Sequence, residues 1–544
     1  MISMSGSSRV LLRGGHVYAA DTPHATAMLT VDAAVAWIGG DAVASSHADD
    51  ADLVVELEGR LVTPGFVDAH THLALTGFAL QSLDLSDAAS LTEALDWLQQ
   101  ASTAQPGPVL FAHGWDETRW ADGRAPTLAE VDRAVGRRVA YLSRVDAHSA
   151  VVSSGLLDRR PDLTALDGWH GDGIVERDAH HGARGVVDAL RSAGDRRHAL
   201  LTALRHAASR GITSIHELNA PHISPFSDFR ILRELAGETV VPEVVPYWGK
   251  LLPGSDDTAG DEPDIDLATD IAGYAGDLCA DGAIGSRTAA MTQPYADADT
   301  TGHLYLDSAQ VAAHVVACTR RGTQAGFHVI GDRAVREVTR GFAAAAQEIG
   351  VAVLVGSRHR IEHVEMPDAE AIATMARLGI VGSVQPAFDA AWGAVGQLYD
   401  RRLGRSRSLP MNPFGSMRRA GVRLAFGSDS PVTPLDPWGG VRAAMFHHSR
   451  DERLTARDAF DAATRGGHRA RRDDTGGVLA AGAPATYAVW DLDPEPGNPA
   501  LGSRGGPGSS DALTTLPDLR PDGPLPRCVH TVVAGATAFR AEDG

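Results

Sequence analysis

The chain has 544 residues and a formal net charge of −20, from 49 basic and 69 acidic side chains. Hydrophobic residues make up 44% and charged residues 22% of it, which is typical of a globular protein and excludes a disordered one. The acidic balance argues against a nucleic-acid-binding protein, and no apolar run is long enough for a membrane span. Lys250 is the only lysine, so arginine supplies 48 of the 49 basic residues.

Short strands separated by glycine-rich turns are predicted at both ends of the chain. Alternating apolar residues fill 9–60, and the same pattern returns at 476–493 and 530–539. We therefore predict a small β-sandwich domain built from residues 1–60 and 475–544, in which 494–527, rich in Pro, Gly and Ser, forms a surface loop. Only three scattered cysteines occur and the start lacks an apolar leader segment, which favours a cytoplasmic protein.

Apolar strands alternate with helical stretches in the middle of the chain. The strands are predicted at 62–68, 213–217, 241–247, 277–282, 325–330, 360–365, 380–386 and 424–430, and the clearest helices at 196–210, 308–321, 333–349 and 367–378. Eight such units predict an α/β fold, a (β/α)8 barrel of the TIM type over residues 61–474. The interval after the first strand is too long for one crossover, so we expect residues 76–205 to form an inserted, lid-like subdomain.

Four histidines and one aspartate fall where predicted barrel strands end, which is where such barrels place their active sites. They are His70, His72, His328, His363 and Asp429. Each alone has an ordinary explanation: His-x-His arises by chance among 23 histidines, and Asp429 could cap a helix. Their joint placement favours a metal site, since imidazole and carboxylate suit Zn²⁺ and similar ions. Other histidines are expected to be structural, namely His216, His222, His359, His447 and His448.

Five motifs together identify a family resemblance. VTPGFVDAHTHL, DGAIGSRTAAM, FHVIGDRAV, RIEHVEM and FGSDSPV resemble the metal-dependent amidohydrolase superfamily, and within it the branch of N-substituted formamide deformylase-like enzymes. The resemblance implies that His70 and His72 form the first-strand metal pair and that His328 and His363 are the fifth- and sixth-strand ligands. It also implies that Asp429 contacts metal and takes the proton of the attacking water.

The resemblance implies a hydrolase that cleaves a non-peptide C–N bond of a small molecule, an amide or an N-formyl group, with one or two divalent ions. Zinc is the expected metal, with iron and manganese as alternatives, and Asp429 and His363 are the expected catalytic residues. A deaminase or a cyclic-amide hydrolase could use the same site, and an inactive barrel that only binds a ligand is a third hypothesis. No nucleic-acid or membrane partner is expected, and homo-oligomer formation stays open.

Several residues outside the strand ends are candidates for substrate contact because they lie in stretches similar to the family's pocket. Trp115, Asp146 and His148 belong to the predicted insertion, and Asp281 and Arg287 to the glycine-rich DGAIGSRTA loop. For Trp115, simple packing of the subdomain is an equal alternative.

The segment DLCADG differs from the family pattern, which carries a lysine where this chain has Asp277. In the family that lysine, once carbamylated, bridges two metals. If 277–282 is a strand, Asp277 lies about 13 Å deeper than Asp281, at ~3.3 Å per residue, and its short side chain falls short of the metals. Three outcomes stay open: one ion held by His70, His72, His328 and Asp429; two ions bridged by Asp277; or an inactive site. Cys279 could add a thiolate, although packing is the more common role of a buried cysteine.

Overall fold

The structure is a computed structural model, and it describes residues 8–104, 107–252, 271–492 and 516–542. Most of the predicted loop 494–527 therefore lies outside the described residues. By length and composition, no single helix in the described ranges could cross a membrane. The helices Asp332–Ile349 and Val351–Ser357 meet that criterion only as a pair, bent by 119° at the break between them.

Eight parallel strands form the central sheet, in chain order around a barrel. They are Phe66–Thr71, Ile212–Asn219, Glu243–Trp248, Gly273–Tyr274, Gln324–Val329, Arg360–His363, Val381–Val384 and Arg423–Phe426. The first and eighth strands meet where Thr71 bridges Ser430 in parallel and the Asp429 N–H donates to the His70 carbonyl at 2.8 Å. The predicted α/β barrel of the TIM type is thereby confirmed.

Helices surround this sheet because their apolar faces need the outer faces of the strands as a partner. The helices of this layer are Leu73–Ala79, Ala193–Ser209, Ser227–Glu238, Ser308–Arg320, Asp332–Ile349, Val351–Ser357, Ala369–Leu378, Pro386–Trp392, Leu398–Leu403, Arg405–Ser408, Phe414–Ala420, Pro437–Met445, Ala456–Ala463 and Arg465–Ala470. Capping boxes mark the start of two of them. Ser192 and Asp195 form one before Ala193–Ser209, and Asp307 and Gln310 form another before Ser308–Arg320.

Two smaller sheets contain strands from the ends of the chain. The four-stranded sheet has the order Ala34–Gly39, Ala27–Val31, Arg9–Arg13, Leu53–Glu56, and the five-stranded sheet has the order His16–Val17, Leu61–Pro64, Tyr487–Asp491, Arg527–Val533, Ala536–Arg540. Helical turns Asp41–Ala44 and Ser45–His47 follow strand Ala34–Gly39. The buried indole of Trp490 contacts Phe66 and Trp438 with ring centroids 5.5 Å away in each case, which fixes the five-stranded sheet against the base of the barrel.

A third sheet follows the first barrel strand in sequence. Its six strands have the order Trp169–His170, Ile174–Glu176, Ser149–Val152, Val139–Arg144, Val109–Trp115, Leu83–Asp84. Its helices and helical turns are Leu91–Ala104, Glu117–Arg119, Leu128–Val135, Ser154–Leu157, Pro161–Ala165, Gly171–Gly173 and Arg177–Ala189, and a further helical turn, Arg450–Glu452, lies late in the barrel. The predicted insertion ends at residue 205, which lies inside helix Ala193–Ser209. This helix packs in the barrel core through Leu200 and Leu204.

The predicted strand at 277–282 is wrong. The fourth barrel strand is only Gly273–Tyr274, and Asp277 lies three residues beyond it. Gly276 turns the chain with a φ of +59°, and a Cβ there would lie 2.4 Å from the Asn219 carbonyl oxygen, so only glycine fits. The expectation that Asp277 lies too deep in the barrel to reach the metals depended on this strand. It is wrong as well, because Asp277 lies at the mouth of the barrel.

Candidate metal centre and active site

The carboxyl ends of the barrel strands bring six side chains together, which we call the metal centre: His70, His72, Asp277, His328, His363 and Asp429. His70 lies in the first strand and His72 directly follows it, His328 lies in the fifth, and His363 is the last residue of the sixth. His363 and Asp429 hold left-handed backbone angles, with φ of +68° and +55°. Such angles are uncommon outside glycine and concentrate at functional sites.

Asp429 faces the first-strand pair. Its Oδ1 lies 3.3 Å from Nε2 of His70 and 3.1 Å from Nε2 of His72. These three ligand atoms are mutually close enough to share one ion.

Asp277 reaches histidines at the ends of the first and fifth strands. Its Oδ1 lies 3.6 Å from Nε2 of His70 and 3.3 Å from Nδ1 of His328, and its Oδ2 lies 3.5 Å from Nε2 of His72. Asp277, His70 and His363 form a second group that could hold an ion. The carboxylate therefore lies between the two sets of donors.

Six buried atoms of the metal centre have no hydrogen-bond partner among the described residues. Five of them face one another, namely Nε2 of His70, Nε2 of His363, Nδ1 of His328, Oδ1 of Asp277 and Oδ1 of Asp429, and the sixth is Nδ1 of His72, whose other ring nitrogen, Nε2, faces the two aspartates. Buried polar atoms are almost always paired, so five exceptions facing one another require an explanation. All are donor types that bind divalent ions, and the residues therefore fit a metal.

Partners on the far side of two rings fix their orientation. The Nδ1 of His70 lies 2.9 Å from Oε2 of Glu362, whose carboxylate also pairs with Arg360. The Nδ1 of His363 lies 2.8 Å from Oε1 of Gln385. Each contact leaves the Nε2 atom directed to the centre, which is the usual support of a metal-bound histidine. Sequence reasoning missed Glu362 and Gln385, because nothing local marks them.

Electrostatics keep the two aspartates charged. Burial opposes ionisation of Asp277 and Asp429, but the neighbouring histidines hold the pKa of both carboxyls below the usual range. Burial, and next the charge of His328, lowers the pKa of His363 to about 3, so this ring is neutral. Although burial opposes it, the charge of Asp429 raises the pKa of His70 well above its ordinary value, and that of Asp277 raises the pKa of His328 to about 9. The centre thus offers anionic oxygens, and a divalent ion bound there would displace the protons of these two rings.

Lysine is absent from this centre. Lys250, the single lysine of the chain, follows the third strand, is half-buried, and is not among the residues that line the cavity at the metal centre. Asp277 holds the place that the resemblance assigns to the bridging lysine.

The structure separates the predicted substrate contacts into two groups. Asp146 and His148 line the cavity beside the metal centre. Trp115 instead packs in the core of the inserted sheet, where its Nε1 donates to the Leu142 carbonyl at 2.8 Å. Asp281 accepts backbone N–H bonds from Ala290, Ile330 and Gly331, and Arg287 pairs with Asp297 at 2.7 Å. These last three side chains are committed to the fold and do not line the cavity.

A cavity of about 240 Å³ opens beside the metal centre. Besides His72, Asp277 and Asp429, it is lined by residues that sequence reasoning did not select: His180, His181, Arg184, His222 and Tyr305. His222 was expected to be structural, yet its ring lies 4.5 Å from that of His181 in the cavity wall. Cys279 lines the cavity as well, and burial raises the pKa of its thiol well above the ordinary value. No local pattern predicts these residues, since the inserted subdomain supplies several of them.

This geometry on an α/β barrel defines a metal-dependent hydrolase fold, and the family comparison agrees. The chain belongs to the amidohydrolase family, whose model matches residues 53–539. The predicted superfamily and its formamide deformylase-like branch are thereby confirmed.

Individual relatives are distant. N-substituted formamide deformylase of Arthrobacter pascens is 25% identical over 515 residues, which cover 86% of this chain and 90% of that protein. Protein LONG AFTER FAR-RED 3 of Arabidopsis thaliana is 24% identical over 466 residues, covering 80% and 77%. An uncharacterized metal-dependent hydrolase from Pyrococcus furiosus shares the fold, with a TM-score of 0.68 and 24% identity over 89% of this chain and 99% of that one.

Proposed function

We propose that this protein is a metal-dependent hydrolase that cleaves a non-peptide C–N bond, an amide or an N-formyl group. The observation that carries the proposal is the set of five unpartnered, buried donor atoms that face one another beside a cavity. The similarity to a protein named as an N-substituted formamide deformylase supports the choice of bond.

The metal-holding role is divided among the six side chains of the centre. His70, His72 and Asp429 would hold one ion, and His328 and His363 a second, with Asp277 between them. Asp277 would then replace the family's bridging lysine with a permanent carboxylate. Zinc suits this nitrogen and oxygen set, and iron and manganese are the alternatives. A divalent ion held there would polarise the carbonyl group and lower the pKa of water toward ~7.

Side chains of the protein would transfer the protons of the reaction and bind the carbonyl oxygen. Asp429 is ionised and lies at the cavity wall, so it can accept a proton from the attacking water and return it to the leaving nitrogen. The products are then a carboxylate and an amine. His148 is neutral, because burial and next the charge of His328 lower its pKa to about 4. Its ring can donate a hydrogen bond to the carbonyl oxygen under attack.

Elemental analysis and one substitution test this proposal. We expect purified protein to hold divalent metal, and Asp429→Asn to lower kcat about 10²- to 10⁴-fold, since it removes the general base. The matched control is Asp458→Asn, whose carboxylate pairs with Arg418 on the surface and has no place at the centre. Protein without metal, or Asp429→Asn as active as the wild type, would contradict the proposal.

A substrate panel separates the related activities. Formamides, N-acyl amines, cyclic amides and aminated heterocycles distinguish a deformylase or amidase from a cyclic-amide hydrolase or a deaminase. An inactive ligand-binding barrel would hydrolyse none of them and would hold little metal. The cytoplasmic location and the oligomeric state stay predictions.

A further inference from the structure

Arg184 differs from the other buried arginines. Five arginines in the described ranges are less than one-tenth exposed, and four of them pair with carboxylates. Those pairs are Arg144 with Asp146 at 3.0 Å, Arg196 with Asp228 at 3.0 Å, Arg402 with Asp297 at 2.6 Å, and Arg360 with Glu362. Among the described residues no carboxylate forms an ion pair with Arg184, whose hydrogen bonds go to backbone carbonyl groups.

Its nearest acceptors are neutral. Arg184 donates from Nη2 to the Ala147 carbonyl at 3.0 Å and from Nη1 to the His222 carbonyl at 3.5 Å. Asp188, one turn along the same helix, pairs with Arg191 and Arg196 instead. A guanidinium stays charged in proteins, and a buried charge without a counter-ion is unfavourable. An anion is therefore the partner that this position favours.

Arg184 carries a positive charge in a part of the cavity wall where the neighbouring histidine rings are neutral. Burial, and next the charge of Arg184, lowers the pKa of His180 well below its ordinary value and that of His181 to about 4, so both rings are neutral. The aspartates of the wall are already committed or exposed. Asp277 and Asp429 belong to the metal centre, Asp146 pairs with Arg144, and Asp178 is exposed to solvent.

We propose that the substrate carries a carboxylate that pairs with Arg184 while its amide or N-formyl group lies at the metal centre. This inference rests on the proposed function and narrows it to small acylated or formylated amino acids. The planar fork of arginine matches a carboxylate with two parallel hydrogen bonds. The cavity of about 240 Å³ is smaller than the roughly 300–1,000 Å³ of sites for drug-sized ligands, which favours a small side chain.

Matched substrates test the proposal directly. N-formylalanine and N-ethylformamide differ by the carboxylate alone, and we expect kcat/KM of the metal-loaded wild type to be roughly 10- to 100-fold higher for the acid, as for a hydrogen bond to a charged group. Arg184→Met should lower this ratio at least tenfold, and Arg184→Lys should retain part of it. Arg177→Met is the matched control, because Arg177 lies on the same helix, pairs with Asp167 at 2.7 Å, and does not line the cavity. Its ratio should equal that of the wild type.

The outcomes separate this inference from the proposed function. Equal kcat/KM for both compounds in the wild type would contradict the proposed substrate carboxylate and would still support the proposed hydrolase activity. If the wild type hydrolyses neither these two compounds nor any amide or formamide of the substrate panel, the proposed function fails, and calorimetric titration of propionate into metal-loaded wild type and Arg184→Lys still decides the role of Arg184. Tighter binding of propionate to the wild type supports it, and equal binding contradicts it. If inorganic phosphate binds through Arg184 more tightly than propionate does, the proposal of a substrate carboxylate is wrong, and a phosphate ester is the favoured substrate.

Discussion

Among the described residues, two clusters that could hold a metal ion combine histidine with aspartate, and they differ in which groups satisfy their hydrogen bonds. In the metal centre, six donor atoms have no hydrogen-bond partner in the described part of the chain, and five of them face one another. In the second cluster, which we call the Asp389 cluster and which consists of Asp389, His447 and His448, the protein supplies nearly every partner. Nδ1 of His448 lies 2.5 Å from the Asp389 carboxylate and its Nε2 lies 3.0 Å from the Leu409 carbonyl.

Residue type alone cannot separate these clusters, since both contain sets that could hold an ion. In the Asp389 cluster a single atom, Nε2 of His447, has no hydrogen-bond partner among the described residues, and it lies 3.2 Å from Oδ1 of Asp389. Nδ1 of His447 accepts the Ser449 N–H at 3.0 Å and His448 bonds at both nitrogens, so this cluster stabilises the fold without a ligand. A cluster that satisfies all but one of its polar atoms is structural, and one that leaves five donors facing one another is built for a ligand. Four experiments test this distinction.

Asp277→Asn should have the largest effect. It removes the charge that lies within 3.6 Å of three histidines, from the ends of the first and fifth strands, so metal affinity should fall by more than the roughly 100-fold that loss of an outer partner costs. Chelator competition followed by elemental analysis measures it. Wild-type affinity in this variant would show that Asp277 is no ligand.

Gln385→Leu should have an intermediate effect. Removing the amide that holds Nδ1 of His363 frees the ring to turn, and metal affinity should fall about 10- to 100-fold. The same titration measures it, with Gln397→Leu, at the start of an outer helix, as the control. Equal affinities in the two variants would mean that His363 needs no such support.

Asp389→Asn should leave metal content unchanged and lower the free energy of unfolding by about 1–3 kcal/mol, because it removes a charged partner from two buried rings. Denaturant titration and elemental analysis on one preparation measure both quantities. Metal loss without loss of stability would reverse the assignment of the two clusters.

The smallest effect is a pH dependence of that stability difference. The Asp389 carboxylate raises the pKa of His448, so its contribution is fully present below the ordinary histidine value near 6.5 and is lost as pH rises through the raised value. Wild type should therefore exceed Asp389→Asn in stability most clearly below pH ~6.5, and less at higher pH. Unfolding curves at several pH values measure the difference; a gap that widens with pH would be the wrong sign.

The sequence predicted the barrel well because its strands are buried, continuous apolar runs that alternate with capped helices. It also selected His70, His72, His328, His363 and Asp429, since each stands where a strand ends. It misplaced the fourth strand, because the turn at Gly276 depends on the close approach of the Asn219 carbonyl group, at the end of the second strand. Arg184 escaped selection since its lack of a carboxylate partner is visible only when the surrounding chain is in place.

The sequence by itself determined the fold class, the family and the absence of a lysine from the fourth-strand motif, because these depend on which residues occur and in what order. Only the tertiary structure decided that Asp277 lies at the metal centre, that Trp115, Asp281 and Arg287 serve the fold, and that Arg184 faces the cavity. Those answers depend on distances between segments far apart in the chain. The local sequence pattern does not determine such distances, whereas the packing of the folded chain sets them to a few ångströms.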